Sequence, residues 1–583
     1  MKIKEKNRRT NIYGVGIAFL LGITSCRQTG PIEARVASEP QTFCNPLNLD
    51  YRFMKIAEGA GIREAADPVV IPFKGHYWLF ASKSSGYWHT DDFNTWEYVF
   101  IPDSVLPIED YAPGLFVHDD YIYYIGSTRG KAMLYRSAHP ETGQWEAVKS
   151  ISANWDPAFY VEGDSLYLYY GSSPTDPIYG QRFNLKTLEA EGKTVACINT
   201  YTETHGWERP GARNELPRRP YLEGAWLTAH DGKYYLEYAA PGTEWDTYAD
   251  GAYVSDNPLG PFKYLPNSPV SYKPTGFLGG AGHGCLFLVG DTYWKAATNS
   301  ISVRHMFERR VSLYPAGFDT DGYLHTDTEW GDYPLFLPGK GSRKRPKWML
   351  LSEDKPVSTS SSLADYPATQ LVDENMRTAW VADSNKEEWV VIDLENEANI
   401  AAIQVNYDEY GATWLGRQSG LYQSYCLYAS HDGEKWYVIA DKSQKRTDTP
   451  HDYIEFESPF KARYIKWENK AYTISGNVSL RELRVFGLGS GKKPASLTEF
   501  NVEPNAKDAC RATLSWQPVE GAKGYVVHAG IAPDKLYHTY QITDSTQIEL
   551  TGLNADVSYY FSIDTYNEQG VTKGNVIHKL KRE

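Results

Sequence analysis

Ala66-Asp67-Pro68 opens a stretch that runs through the turn Lys74-Gly75 into His76-Tyr77-Trp78-Leu79-Phe80. A carboxylate beside a proline, a tight Gly-containing reversal and an aromatic run together read as a short antiparallel hairpin. The theme returns four times. The later runs are Tyr121-Ile122-Tyr123-Tyr124-Ile125, Leu166-Tyr167-Leu168-Tyr169-Tyr170, Lys233-Tyr234-Tyr235-Leu236-Glu237 and Tyr293-Trp294-Lys295. They are entered through Asp119-Asp120, Gly163-Asp164, Asp231-Gly232 and Gly290-Asp291. Five such units, spaced by roughly 45–65 residues with no long helical periodicity between them, predict a five-bladed β-propeller over 43–345.

Two further strings resemble the first in form, Trp155-Asp156-Pro157 and Leu222-Glu223-Gly224. Each sets one carboxylate at the head of a strand-like segment. A propeller brings the inner strands of its blades to one axis, so three acids far apart in sequence can converge there. Such a cluster suits acid/base cleavage of a glycosidic bond.

The remainder of the chain reads as two more β units, making an all-β protein: a propeller followed by two β-sandwich domains. The first, over 356–488, holds Asp373-Glu374-Asn375, Trp389-Val390-Val391-Ile392-Asp393-Leu394, Ser430-His431-Asp432-Gly433 and Leu480-Arg481-Glu482-Leu483. These turns and alternating strands resemble the discoidin, or coagulation factor 5/8 type C, family, whose members often bind sugars through loops at one end. A spacer role is the alternative. The second, over 493–583, has Leu514-Ser515-Trp516, Gly524-Tyr525-Val526-Val527 and Tyr559-Tyr560-Phe561. It resembles a fibronectin type III sandwich, and no activity is expected of it.

Composition suits β-structure and sugar binding. Aromatic residues make up 14% of the chain, with 44 Tyr and 17 Trp. Flat rings suit both strand packing and stacking on sugar faces. The formal charge is -14, and the first 25 residues oppose it with five Lys/Arg against one Glu. An acidic body argues against nucleic acid or an anionic membrane surface as the main partner and fits a neutral polymer such as a carbohydrate substrate.

Residues 1–25 read as an export signal, a basic stretch followed by an apolar run from Ile12 to Ile23 that is short for a membrane span. The run ends Ile23-Thr24-Ser25-Cys26, which resembles a bacterial lipobox. That resemblance implies lipid attachment at Cys26, a polar tether over 26–42 and a place in the bacterial cell envelope. The lipid anchor is then the sole expected membrane contact. Cys44, Cys197, Cys285, Cys426 and Cys510 lack metal-ligand spacing and read as unpaired, mostly buried thiols.

The propeller strings, taken in order, resemble glycoside hydrolase family 43. Asn45-Pro46 and Ala66-Asp67-Pro68 belong to blade one, Tyr111-Ala112-Pro113-Gly114 to blade two and Asp156-Pro157 to blade three. Glu223-Gly224 opens blade four and Gly282-His283-Gly284 blade five. The resemblance implies an inverting hydrolase with Asp67 as general base and Glu223 as general acid. Asp156 would raise and orient the acid, and His283 would lie beneath the site. It implies no required cofactor, with a structural calcium near His283 the one metal considered. The base must stay ionised, so a cation or several donors are expected around Asp67. Trp88, Trp155, Trp226 and Trp245 are candidate sugar platforms, and Arg304 with His305 a candidate contact from the end of blade five. Ala225 stands where many relatives have Pro, which leaves the sugar open among arabinofuranose, xylose and galactofuranose. Two other readings are a retaining fructan-active relative and a glycan-binding lipoprotein without catalysis. Trp-Asp-Pro and Glu-Gly, where fructan enzymes resemble Arg-Asp-Pro and Glu-Cys, count against the first.

Overall fold

The computed structural model describes residues 30–57, 60–108, 111–341 and 344–580. Cys26 and the export segment lie outside the described residues. The chain divides into compact units Met1–Pro31 and Ile32–Glu583, and the following concerns the second.

Five four-stranded antiparallel meanders follow one another. Blade one is Ala66–Phe73, His76–Ser82, Gly86–Thr90 and Glu97–Phe100, and blade two Gly114–His118, Tyr121–Ile125, Lys131–Ser137 and Glu146–Ser152. Blade three is Ala158–Glu162, Ser165–Tyr170, Ile178–Asn184 and Ala190–Ile198. Blade four is Glu223–His230, Lys233–Ala240, Ala249–Ser255 and Lys263–Tyr264, and blade five Gly279–Val289, Thr292–Ser300, Arg309–Phe318 and Leu324–Thr326. The hairpins expected from sequence are two-residue loops. Phe73 pairs His76 across Lys74-Gly75, and His230 pairs Lys233 across Asp231-Gly232. Both residues of each loop have positive φ, the requirement of a type I′ turn. Blade five is tied to the N-terminal segment by the pairing of Thr42–Phe43 with Leu335–Phe336. The Asn45 amide adds bonds to the carbonyls of Leu313 (2.8 Å) and Gly331 (2.7 Å).

The second unit is one eight-stranded sheet. Its two long strands, Trp389–Tyr407 and His451–Tyr472, line a core that includes Trp380, Ile403, Tyr407, Tyr425 and Trp467. The last unit pairs Phe500–Pro504, Ala512–Trp516 and Gln547–Leu550 in one sheet. His538–Thr543, Gly524–Gly530, Tyr560–Asn567 and Gly570–Thr572 form its other sheet.

Both sandwiches are fused to the propeller through buried contacts. Arg63 and Arg310 of the propeller converge on Glu409 of the first sandwich (3.0 and 3.2 Å), and Arg481 of that sandwich reaches back to Glu308 (2.5 Å). The C-terminal sandwich shares one apolar cluster with blades three and four, in which Trp207 and Tyr238 meet Leu514, Leu553 and Tyr559. Within the expected 26–42 tether, the segment 32–37 lies against the first sandwich. Ile32 is buried in the first sandwich, Val36 bridges Phe456, and Ala37 N–H donates to the Glu455 carbonyl (2.8 Å). Its apolar residues alternate with polar ones, so it adds itself to a sheet edge.

Candidate functional site

Each inner strand of the propeller has a residue in the left-handed backbone region at or near its start. These residues are Asp67 (φ 52), Ala112 (φ 42), Asp156 (φ 55), Gly224 (φ 62) and His283 (φ 40). The first, fourth and fifth inner strands also carry irregular register there, between Ala66 and Val69, Glu223 and Trp226, and Gly280 and Cys285. A bulge re-aims a side chain that regular pleating would send into the blade. Here the re-aimed side chains are Asp67, Glu223 and His283. The glycines around them are steric requirements. A Cβ on Gly224 would stand 2.7 Å from His283 Cγ, one on Gly282 2.9 Å from Ala249 N, and one on Gly284 1.9 Å from the Ala296 carbonyl oxygen.

His283 holds the carboxylates together. Its Nδ1 is 3.2 Å from Asp67 Oδ1 and 3.9 Å from Asp156 Oδ2. Asp67 also faces Arg309, whose Nη1 is 3.3 Å from Oδ1, and accepts from the Ser82 hydroxyl (2.5 Å). Its backbone N–H donates to Thr298 Oγ1 (2.8 Å). The second arm of Arg309 pairs with buried Glu64 (2.5 Å). Asp156 accepts from Gly224 N–H (3.4 Å), and its own N–H donates to Ser127 Oγ (2.9 Å). Glu223 accepts from the Tyr248 hydroxyl (2.7 Å) and the Ser172 hydroxyl (2.9 Å).

These surroundings divide the acids electrostatically. Burial alone would push Asp67 up, but Arg309, His283 and the Ser82 bond outweigh it and hold Asp67 below the ordinary Asp value. Burial raises Asp156 to about 7, against the pull of His283 and with the repulsion of Glu223 and Asp67 added. Burial also raises Glu223, with His283 and Tyr248 opposing. Repulsion between Asp156 and Glu223 acts on both, so the pair titrates together, upward. For His283, burial disfavours the cation, but Asp67, Asp156, Glu223 and Asp250 prevail and raise it above an ordinary His. The surroundings therefore favour the ionised form of Asp67, the protonated forms of Asp156 and Glu223 and the cationic form of His283.

Behind the His283 backbone a buried chain of alternating charge joins blades four and five. Asp250 accepts from the backbone N–H of His283 (2.7 Å) and of Gly284 (3.3 Å). Buried Lys295 sits 2.7 Å from Asp250 and 2.6 Å from Glu237. An ion placed between Asp250 and Glu237 would meet the Lys295 ammonium.

Among the remaining candidates, Trp155 is 40% exposed beside Asp156, as a platform must be. Trp88 is only 1% exposed, its indole N–H bonded to Asp50 (2.7 Å) and the Arg417 guanidinium 5.3 Å from its ring. The alternation of its strand directs it into the blade, so the platform expectation for Trp88 is corrected. Trp226 is half-buried and packs against four separate apolar clusters of the propeller. It pairs in register with Glu237, which places it in the packing around the axis; the expectation that it is a platform is likewise corrected. Trp245 is half-buried, with Arg218 5.7 Å from its ring. Arg304 is engaged by Asp408 and Glu308 at the sandwich interface, which corrects its expected contact with substrate. The arginine that reaches the acids is Arg309. The need of Asp67 for a cation pointed to such a residue, but choosing between Arg304 and Arg309 required the strand boundary. Glu64, Ser82, Ser172, Tyr248, Asp250 and Lys295 carry no local motif and are visible only in the fold.

Residues 62–324 match the model of the Glycosyl hydrolases family 43, and residues 356–483 that of the F5/8 type C domain. A search of curated proteins returns no match. Similar solved structures include a thermostable family-43 glycoside hydrolase at 21% identity and a TM-score of 0.41, covering 51% of this chain and 99% of that one. Another is a xylan beta-1,4-xylosidase from Bacillus halodurans C-125, at 15% identity and a TM-score of 0.39, covering 91% and 98%. An exo-1,5-alpha-L-arabinanase from a bovine ruminal metagenomic library matches at 18% identity and a TM-score of 0.36, covering 47% and 100%. Likenesses this distant say nothing of the substrate.

Proposed function

We propose that this chain, a glycoside hydrolase carrying a family 43 domain, removes terminal sugars from polysaccharide or oligosaccharide side chains with inversion at the anomeric carbon. One observation carries the reading. Carboxyl groups from blades one, three and four meet around His283 in environments that push their proton affinities in opposite directions.

In the proposed mechanism Asp67, kept ionised by Arg309, takes a proton from the attacking water. Glu223, kept protonated by burial, gives its proton to the glycosidic oxygen as the bond breaks. Asp156 shares the titration of Glu223 and so helps it to remain an acid at neutral pH. Ser172 and Tyr248 fix the Glu223 carboxyl by one bond to each oxygen. Trp155 is the platform best supported by exposure.

Arabinofuranosides are the first substrates to test, then xylosides and galactofuranosides. A panel of aryl glycosides with wild type, Asp67→Asn and Glu223→Gln tests the roles. Each substitution is expected to cost roughly 10²–10⁴-fold in kcat. The Glu223→Gln loss should shrink on a dinitrophenyl leaving group, which departs without protonation. Near-wild-type turnover by either variant contradicts the assignment.

The sheet order of the last unit supports a fibronectin type III-like spacer for 493–583. The lipobox-like string supports a lipid anchor at Cys26 and an envelope location, and mass spectrometry of the N-terminal peptide tests both.

A further inference from the structure

A large cavity lies away from the acids, where three units of the chain meet. Its walls come from blade five and the turn after it (Pro315, Trp330), the connection to the first sandwich (Arg345, Met349) and the C-terminal sandwich (Val571, Lys573), and it encloses about 720 Å³. Pro315 stands six residues along its strand from Arg309, roughly 20 Å at the rise of a strand. The cavity is therefore separate from the catalytic site.

Five cations and two carboxylates line it, in a chain whose formal charge is -14. The carboxylates are already matched. Lys344 is 2.7 Å from Asp327, and Lys573 is 3.3 Å from Glu329. Arg345, Lys347 and Lys493 have no ion-pair partner among the described residues.

Arg345 is the most telling of the three. Its guanidinium lies near the rings of Trp330 (4.8 Å) and Tyr333 (5.5 Å), and Nη2 donates to the Trp348 carbonyl (2.5 Å). Its Nε is buried with no hydrogen-bond partner among the described residues. Burial is the largest influence on this group and disfavours the cation, with Tyr333 and Glu329 opposing. A desolvated guanidinium without a counter-ion is costly, and an anion in the cavity would offset that cost. Lys493 reaches the cavity across Gly570, where a Cβ would stand 2.8 Å from its Cε. Its Nζ donates to the Val571 carbonyl (3.2 Å), and an ammonium has further protons to give.

Leu335, Met349, Leu488 and Val571 add apolar surface. A free inorganic anion would leave that surface wet and most of the volume unfilled. A sugar acid offers both an apolar ring face and a planar carboxylate, which the fork of a guanidinium matches with two parallel bonds. The wall is preorganised, because Trp330, Tyr333, Met349, Phe486 and Tyr566, drawn from the propeller and both sandwiches, share one buried cluster.

We propose that this cavity is a non-catalytic binding site for a uronic-acid-bearing stretch of polysaccharide, with a carboxylate seated on Arg345 and with Lys347 and Lys493 beside it. Such a site holds the protein on an acidic polymer while the propeller acts on its branches. That use rests on the hydrolase reading; the binding does not.

Calorimetry of the full chain with tetragalacturonate tests it. The wild type should bind the uronide and not its methyl ester, and added salt should weaken the binding. Arg345→Gln should lower affinity about tenfold, the loss expected for a hydrogen bond between charged groups. Lys347→Met combined with Lys493→Met, both exposed and outside the packing, should lower it by a similar factor. Turnover of aryl glycosides should stay within about twofold of wild type in each variant. The site is overturned if the wild type does not bind the uronide, if the methyl ester binds equally well or if inorganic phosphate competes at equal concentration. Affinity unchanged within about twofold in both variants overturns it too. Uronide binding by a chain inert on every glycoside would uphold the site and overturn the hydrolase reading alone.

Discussion

Arg309 Nη1 lies 3.3 Å from Asp67 Oδ1, while the other arm of the same guanidinium pairs with buried Glu64 at 2.5 Å. Its chain neighbour Arg310 points away, to Glu409 of the first sandwich at 3.2 Å. One strand end therefore keeps a carboxylate ionised on one side and joins two domains on the other.

The acid limb of the pH profile should report on Arg309. In the wild type, Asp67 is held below the usual Asp value, so the limb should lie below that range. The alkaline limb should follow loss of the Glu223 proton, which burial holds above the ordinary Glu range. Arg309→Met removes the main counter-charge of Asp67, and the acid limb of kcat/KM should move upward by about one unit or more. An unmoved limb contradicts the assignment of that limb to Asp67.

Asp156 should lower stability at neutral pH while it serves activity. An ordinary Asp ionises near about 3.9, whereas Asp156 in the fold ionises at about 7. Between those values the unfolded chain releases its proton and the folded chain keeps it. Stability therefore falls as pH rises through this window, and the full cost is present above it. Asp156→Asn, which cannot ionise, should gain stability above about pH 7, with a ceiling of about 4 kcal/mol, and gain little below about pH 4. Its kcat should drop over the same range. Denaturant melts at the two pH values check the first expectation and aryl-glycoside kinetics the second.

Gly224→Ala should be costly despite its size. The new methyl would meet His283 Cγ at 2.7 Å, at a backbone φ of +62° that disfavours any Cβ. A stability loss of about 1–3 kcal/mol is expected. Activity should fall further than stability alone explains, because the displaced ring touches two of the acids. Thermal melts and kinetics on one preparation measure both.

The propeller and first sandwich should unfold together. Glu409→Ala leaves Arg63 and Arg310 buried without their shared partner, at a cost of about 3–5 kcal/mol. Calorimetry of the wild type should show one transition covering both units, and the variant should lower it. Two independent transitions in the wild type contradict the fused arrangement.

Much of this was legible in the chain because its signals are local. The tight turns and aromatic runs lie within a few residues of one another and mark the five blades. Asp67, Asp156 and Glu223 were visible because each sits in a short string at the start of an inner strand. Signals that depend on packing misled or were absent. Trp88 and Trp226 are aromatic residues near site strings, but strand pleating and the axis take them inward. Arg304 and Arg309 differ by five positions, and only the point at which strand Arg309–Phe318 begins separates an interface residue from one beside Asp67. The segment 32–37 is polar enough to pass for part of a tether, yet its alternation lets it join a sheet edge. Lys295 reads as part of an ordinary strand, and its charge makes sense only against Asp250 and Glu237 of the neighbouring blade.

Proton NMR of the first-formed product, recorded before mutarotation, tests the central claim most directly. With Asp67 as base, Glu223 as acid and no covalent intermediate, the released sugar should first appear with the anomeric configuration opposite to that of the substrate. A first product of retained configuration would contradict the account, because it would require one of these carboxylates to act as a nucleophile.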